Sequence, residues 1–129
     1  MRKSILAACA VVLGMAGAAM ADDAEGVWQT QVDDGAFAYV TIAACGNAVC
    51  GTISRTFNDS GEYTSPNLGR QIVIDMVPQG GGAYEGSVWR PSNDRIYIGR
   101  MQLNGNQIAL RGCVAGGLIC SSQTWVRVE

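Results

Sequence analysis

The sequence predicts an all-β domain: a single eight-stranded antiparallel up-and-down β-barrel held by two short-range disulfides. Three observations support this prediction. After residue 21, β-branched and aromatic residues alternate with polar residues in short runs, and no stretch has the periodicity of an amphipathic helix. Clusters of Gly, Asn, Asp and Ser separate the runs, as is typical of hairpins. Closing these strands into a barrel leaves no unpaired edge.

The first 21 residues have the features of a signal peptide. A basic start precedes an apolar run over residues 5–14, and an A-x-A cleavage pattern ends at Ala21. We therefore expect residues 22–129 to form the barrel domain of a periplasmic or secreted protein. A lipid anchor at Cys9 is the alternative, and it is disfavoured because most of the apolar run follows that residue.

Composition excludes several classes of function for the domain. The chain has no histidine. Its only lysine, Lys3, and one arginine, Arg2, lie in the signal peptide, so residues 22–129 contain seven arginines against eleven acidic residues. An imidazole base, a Schiff-base lysine and a histidine-ligated metal are therefore excluded, and the acidic balance argues against nucleic acid. No apolar stretch after residue 21 approaches the length of a membrane span. We expect no cofactor and no metal.

Eight candidate strands follow one another, each a run of alternating apolar and polar residues. They span residues 26–32, 36–45, 50–57, 71–77, 83–90, 95–103, 107–113 and 121–128. Turn-forming residues separate them at 33–35, 46–47, 79–82, 92–94 and 104–106, with two glycines at 116–117. The connection 58–70 is the only one long enough to act as a lid or binding loop.

Loop lengths predict the register of the first three strands. A three-residue loop after the first strand places Trp28 opposite Val40. The next hairpin is then expected to place Ile42 opposite Ile53 and Val40 opposite Arg55. This register turns the side chain of Arg55 toward the barrel interior.

A two-residue turn at 105–106 is required between the sixth and seventh candidate strands, because it collects apolar residues of both strands on one face. The inner face of the whole barrel is then predicted. It consists of Trp28, Val40, Ile42, Ile53, Ile74, Tyr84, Val88, Tyr97, Met101, Leu103, Ile108, Leu110 and Trp125. An interior of eight strands is either filled by these side chains or holds one small ligand.

Four cysteines follow the signal peptide, and two disulfides are the natural interpretation in an oxidising compartment. We favour Cys45–Cys50 and Cys113–Cys120, because each pair brackets a turn that contains glycine. Each short loop is worth about 2 kcal/mol in the chain-entropy model. A zinc site and a redox-active pair are the alternatives, but neither spacing is typical of a zinc knuckle or of a C-x-x-C motif.

The pattern Gly26-x-Trp28, with Arg127 on the last strand, resembles the signature of the lipocalin and calycin barrels. In such a barrel a guanidinium can stack on the indole and donate hydrogen bonds to carbonyls, which seals one end. The resemblance implies a structural role for Gly26, Trp28 and Arg127. Trp125 is expected to share that structural role as an inner-face residue of the last strand.

Nearly the whole domain resembles the bacterial domain-of-unknown-function 2147 family of small exported proteins. The motifs that carry the likeness begin with Gly26-x-Trp28-x-Thr30, Cys45-Gly46 and Cys50-Gly51-x-Ile53, and continue with Gly86-x-Val88-Trp89-x-Pro91, Tyr97, Arg111-Gly112-Cys113 and Gln123-Thr124-Trp125-x-Arg127. The sequence departs from the family pattern at Asp94-Arg95-Ile96, where a Gly-Lys-Thr turn is usual. The resemblance implies a lipocalin-like barrel of uncharacterised role, suspected of binding small amphiphiles.

The first functional hypothesis is a carrier or sensor of a small hydrophobic or amphiphilic ligand. On the predicted inner face, Arg55 has no acidic partner, so an incoming carboxylate or phosphate is a physical candidate. Tyr84, Tyr97 and Met101 are candidate contacts around the ligand. The structural alternatives are that Arg55 extends to water at a barrel mouth and that the other three pack the core.

The second hypothesis is a protein-interaction module, such as an inhibitor of an exported protease. Its available binding elements are the acidic start, residues 22–25, and the loop 58–70; a mobile solvated tail is the alternative for the acidic start. Enzymatic activity is the least favoured hypothesis, because no nucleophile–histidine pair can form. Asp75 and Glu85 alternate with apolar neighbours and are expected on the outer face.

Overall fold

Nine β-strands and one short 3-10 turn build the described part of the chain, which is residues 21–129 of a computed structural model. The strands are β1 (Gly26–Gln29), β2 (Phe37–Cys45), β3 (Ala48–Asn58), β4 (Gly61–Tyr63), β5 (Gln71–Gly80), β6 (Ala83–Arg90), β7 (Arg95–Asn104), β8 (Gln107–Val114) and β9 (Ile119–Arg127). The turn spans Ala115–Gly117. Except for Ala21, the predicted signal peptide lies outside the described residues, so it stays a prediction.

Eight of these strands close into an antiparallel barrel. The order around the barrel is β2-β1-β9-β8-β7-β6-β5-β3, and β3 pairs back onto β2. The predicted eight-stranded barrel is therefore confirmed. The ninth strand, β4, was not predicted; it folds back on the end of β3 through a two-residue turn between Asn58 and Gly61. Within residues 21–129, no helix is long and apolar enough to cross a bilayer.

The register at two hairpins follows the prediction. Trp28 lies opposite Val40 in the β1–β2 pair. In the β7–β8 pair, Met101 lies opposite Leu110 across the two-residue turn. Because directly paired residues share a face of the sheet, these pairs set which side chains enter the barrel.

The predicted register between β2 and β3 is wrong, and with it the inward orientation of Arg55. The turn at 46–47 is a tight two-residue turn, so Val40 pairs with Ile53 instead of Arg55. A β-bulge beside Val40 then adds one residue to β3, and Arg55 pairs with Tyr39 on the outer face. Ile42 lies opposite Gly51, not opposite Ile53.

The core contains most of the predicted inner face. Ten of its thirteen residues are buried, while Ile74, Tyr97 and Leu103 are partly buried against it. The core also includes Val49, Ile72, Val73, Met76 and Trp89. Met76 was left out of the predicted inner face, although it has the same parity in the strand as Ile74. A bulge in β5 shifts the alternation: Asp75 has a φ of 47°, and the register with β6 changes between Ile74 and Val77. Val73 accordingly takes the fully buried position predicted for Ile74.

One end of the barrel, which we call the closed end, is sealed by the two ends of the domain. The guanidinium carbon of Arg127 lies 4.3 Å from the ring centre of Trp28. Its Nη1 and Nη2 donate to the carbonyl oxygens of Glu25 and Asp23 at 2.9 and 2.8 Å, respectively. Gly26 makes this contact possible, since a Cβ there would lie 2.7 Å from Arg127 Nη1.

The acidic start, residues 22–25, is part of this seal, so the alternative of a mobile tail is wrong. Ala24 is fully buried, and its carbonyl accepts a hydrogen bond from the Trp28 indole at 2.9 Å. The Tyr84 hydroxyl donates to the Asp22 carboxylate, and burial together with that carboxylate raises the pKa of the phenol. The backbone of this segment and the carboxylates of Asp22 and Glu25 are therefore anchored in the closed end and do not form a free binding segment.

Both predicted disulfides are confirmed. Cys45–Cys50 spans the hairpin turn at the closed end. Cys113–Cys120 joins directly opposite residues of β8 and β9 near the other end. Of the groups that could bind a metal, one carboxylate lies near the first disulfide: Asp75 is 3.5 Å from Cys50 Sγ. As disulfide sulfurs, however, the two cysteines are not the thiolates that bind metals.

We predict that Arg127→Ala lowers the free energy of unfolding by about 2 kcal/mol, because it removes the stack on Trp28 and three charge-assisted hydrogen bonds, to the carbonyls of Glu25 and Asp23 and to the Asn106 side chain. Urea denaturation measures the change. Arg111→Ala is the matched control: Arg111 is exposed on β8, and its side chain makes no hydrogen bond or ion pair within residues 21–129. The control should change stability by less than about 0.5 kcal/mol. Equal losses in the two variants would contradict the sealing role.

Candidate functional site

The opposite end of the barrel, which we call the open end, contains a cavity of about 400 Å³. It lies between the loop after β1, the segment 64–70, the turn after β6 and the upper part of β9. The large side chains of the closed half do not line it: Trp28, Met76, Met101 and Ile108 are buried below it. The barrel is therefore filled in one half and hollow in the other.

The floor of the cavity is apolar. Ile53, Ile72, Val88, Leu110 and Trp125 line it, and each is less than 9% exposed. They come from five strands, β3, β5, β6, β8 and β9, at inward positions. Burying the apolar part of a ligand against these side chains would be favourable by the usual hydrophobic effect.

A polar girdle surrounds the cavity above this floor; we use the name for Thr30, Thr56, Ser65, Tyr97, Ser121 and Gln123. Three of these hydroxyls are bonded to the protein: Thr56 donates to the Tyr63 carbonyl, while Ser65 and Thr30 accept from the backbone N–H groups of Asn67 and Ala38. The Tyr97 hydroxyl accepts a hydrogen bond from Asn93 at 2.7 Å. The girdle thus consists of hydroxyl and amide groups without formal charge.

On β9, alternation positions two members of the girdle. Ser121 and Gln123 pair with Gly112 and Leu110 of β8 and therefore point inward. The Gln123 side-chain oxygen accepts from the Trp125 indole at 3.0 Å, which directs its amide NH₂ group elsewhere. Within the described residues, Ser121 has no side-chain hydrogen bond. Both can therefore donate hydrogen bonds to a ligand.

Asp33 and Arg90 form an ion pair at the mouth of the cavity. Arg90 donates from Nε and Nη2 to the two carboxylate oxygens, each at 2.9 Å, and the Ser92 hydroxyl donates to Asp33 at 3.1 Å. The hydrogen bonds from Arg90 hold the pKa of the Asp33 carboxyl below its usual range, against the opposing effect of burial. Bidentate pairing of this kind is the strong form of the arginine–carboxylate interaction.

The segment 64–70 forms a wall of the cavity. Its end continues the sheet: Gly69 N donates to Ile53 O and Ile53 N donates to Arg70 O, both at 2.9 Å. The guanidinium of Arg70 lies 3.7 Å from the ring centre of Trp89, which itself lines the cavity. The long connection thus provides a fixed part of the site through backbone pairing and a cation–π contact.

The four predicted ligand-binding residues are not brought together. Tyr97 lines the cavity, whereas Tyr84 and Met101 are buried outside its lining. Arg55 lies on the outer surface, where it donates to both oxygens of Glu62 at 2.8 and 2.6 Å. Its expected position inside the barrel without an acidic partner is wrong.

Sequence reasoning missed the girdle residues of β3 and β9. A signal was present in β9, because Ser121 and Gln123 share the parity of Trp125 in a strand that was predicted from residue 121. The inward orientation of Thr56 did not follow from alternation, because the bulge in β3 shifts the register and places Thr56 opposite Ala38. The polar half of the cavity therefore depends on register as well as on composition.

Comparisons with known proteins agree with both resemblances seen in the sequence. A family model described as "Uncharacterized protein conserved in bacteria (DUF2147)" matches residues 26–127. The solved structure of protein HP1028 from Helicobacter pylori, described as belonging to the lipocalin family, is similar with a TM-score of 0.62 and 18% identity. The match covers 81% of this chain and 82% of that chain. No curated protein matches the chain. At this identity the structural likeness shows a lipocalin-like fold alone.

We predict that Arg90→Gln raises the pKa of Asp33 toward its usual range, because the main cause of its lowering is removed. In the wild-type protein this pairing stabilises the fold above the unfolded-state pKa of Asp33, and the contribution disappears as pH falls through the lower folded-state pKa. An NMR titration of the side-chain carboxyl carbons measures both states. Glu62, whose pKa is lowered by Arg55, is the internal control and should not move. An unchanged Asp33 titration would contradict the pairing.

Proposed function

Since the chain belongs to the DUF2147 family of uncharacterized bacterial proteins and has a lipocalin-like barrel, we propose that it binds a small amphiphilic molecule in the cavity at the open end. The observation that carries this proposal is the division of one interior into an apolar floor and an uncharged polar girdle. A ligand with an apolar chain and a polar head matches that division. The proposal concerns binding and transport or sensing, not catalysis.

The size of the cavity supports the proposal. Its volume of about 400 Å³ lies within the range of roughly 300–1,000 Å³ that is typical of small-molecule pockets. Such pockets combine mostly apolar walls with a few polar groups that orient the ligand. The closed half supports this arrangement because its packed side chains limit how deeply a ligand can enter.

Among the residues predicted to bind a ligand, we propose a contact role for Tyr97 alone. Its ring lines the cavity, and its hydroxyl is held by Asn93 at the mouth. Tyr84 and Met101 are proposed to act through the closed half, where Tyr84 bonds to Asp22 and Met101 packs opposite Leu110. Gly26, Trp28, Trp125 and Arg127 keep their proposed structural roles, and Trp125 also lines the floor.

We further propose that the protein works in the periplasm or outside the cell after cleavage near Ala21. The two disulfides support this location, because such bonds persist in oxidising compartments. The basic and apolar start of the chain is the second support.

We predict that Ser121→Phe weakens binding of the fluorescent probe N-phenyl-1-naphthylamine by about tenfold or more, because the new ring occupies the cavity. Probe fluorescence in a titration of the domain measures the affinity. Thr124→Phe is the matched control: it introduces the same ring at another exposed position of the same strand, but Thr124 points outward and does not line the cavity. Wild-type affinity in Ser121→Phe, or no probe binding to the wild-type protein, would contradict the proposed site.

A further inference from the structure

We infer that the amphiphile recognised by this cavity carries an uncharged polar head, such as hydroxyl or ester groups, and that ionised heads are disfavoured. The inference rests on the proposed function and adds the chemical class of the ligand. Two features carry it: the state of the charged groups at the mouth and the chemistry of the girdle.

The charged groups at the mouth neutralise each other. Among the side chains that line the cavity in residues 21–129, Asp33 and Arg90 alone carry charge. Arg90 uses two of its donors on the two oxygens of Asp33, and Ser92 adds a third hydrogen bond to that carboxylate. The pair therefore presents a dipole, not a net charge, to an incoming ligand.

An anionic head would have to compete with a carboxylate that already occupies Arg90. It would also lie close to the negative charge of Asp33, and such like-charge juxtaposition is costly in a recessed site. A cationic head meets the reverse problem, because the Asp33 oxygens already accept from Arg90 and Ser92. An ionised head loses water without gaining a free partner of opposite charge.

Two arginines near the open end but outside the lining, Arg70 and Arg55, are also engaged. Arg70 stacks on Trp89 and lies 3.8 Å from an oxygen of Asp94. Arg55 is held by Glu62 on the outer surface, between the rings of Tyr39 and Phe57. Because of these contacts, neither guanidinium group is free to bind an anionic ligand in the cavity. For Arg55 this differs from the role that the sequence suggested.

The girdle offers donors and acceptors without charge. The Gln123 amide nitrogen and the Ser121 hydroxyl can donate, and the hydroxyl oxygens of Thr56 and Ser121 can accept. Hydroxyl, ester and amide groups exchange hydrogen bonds with such partners at little cost in desolvation, because they exchange one neutral hydrogen bond for another. A neutral head placed beside the girdle would leave the alkyl chain against the floor.

The test compares ligands with the same alkyl chain and different heads. Isothermal titration calorimetry of the domain with glycerol monodecanoate, decanoate and decyltrimethylammonium, each below its micellar concentration, measures the three affinities. We expect glycerol monodecanoate to bind about tenfold or more tightly than either ion at neutral pH. Equal or tighter binding of either ion overturns the inference and leaves the proposed function standing. If none of the three binds and N-phenyl-1-naphthylamine also fails to bind, the proposed function and this inference both fall.

A variant tests the role of the ion pair. Asp33→Asn keeps side-chain hydrogen-bonding groups of similar size but leaves the charge of Arg90 unpaired, so decanoate affinity should rise by about fivefold or more. Glycerol monodecanoate affinity should change by less than about twofold, because it does not depend on that charge. Glu62→Gln is the matched control, since it releases Arg55 outside the cavity and should leave decanoate binding unchanged. Unchanged decanoate affinity in Asp33→Asn, or an equal rise in Glu62→Gln, overturns the inference.

Discussion

The stack of Arg127 on Trp28 determines which half of this barrel can be hollow. The guanidinium joins the last strand, through its hydrogen bonds, to the backbone of residues 23–25, and those residues cover the indole. A barrel of eight strands is only just wide enough for side chains to fill it. Trp28 and its neighbours fill the sealed half, and space is left in the other half, between the apolar floor and the polar girdle.

The two halves of the interior differ in composition. The sealed half contains several of the largest fully buried side chains, among them Trp28, Ile42, Met76 and Ile108, whereas Trp125 lies on the floor of the cavity. The open half combines apolar residues near the middle of the barrel with hydroxyl and amide groups nearer its mouth. The charges of Asp33 and Arg90 balance each other at that mouth, which supports the proposal that the girdle recognises an uncharged head.

The eight barrel strands and the two disulfides were predictable because each depends on residues close together in the sequence. Alternation located the strands, and glycine-containing turns located both cysteine pairs. The orientation of Arg55 was not predictable in the same way. Its pairing with β2 depends on the length of the turn at 46–47 and on a β-bulge, and together these place it opposite Tyr39 instead of Val40. A shift of one residue moves a side chain to the opposite face of the sheet. The bulge at Asp75 explains in the same way why Val73 is buried where Ile74 was predicted. The cavity depends on how all eight strands meet in space.

The three tryptophans test the central claim, a sealed half and a ligand-binding half within one barrel. Trp125 and Trp89 line the cavity, whereas the indole of Trp28 is bonded to Ala24 in the sealed half. Two-dimensional NMR resolves their three indole N–H signals during a titration with glycerol monodecanoate. The account predicts that the Trp125 and Trp89 signals shift to saturation while that of Trp28 stays in place. A shift of Trp28 with Trp125 unmoved would contradict it.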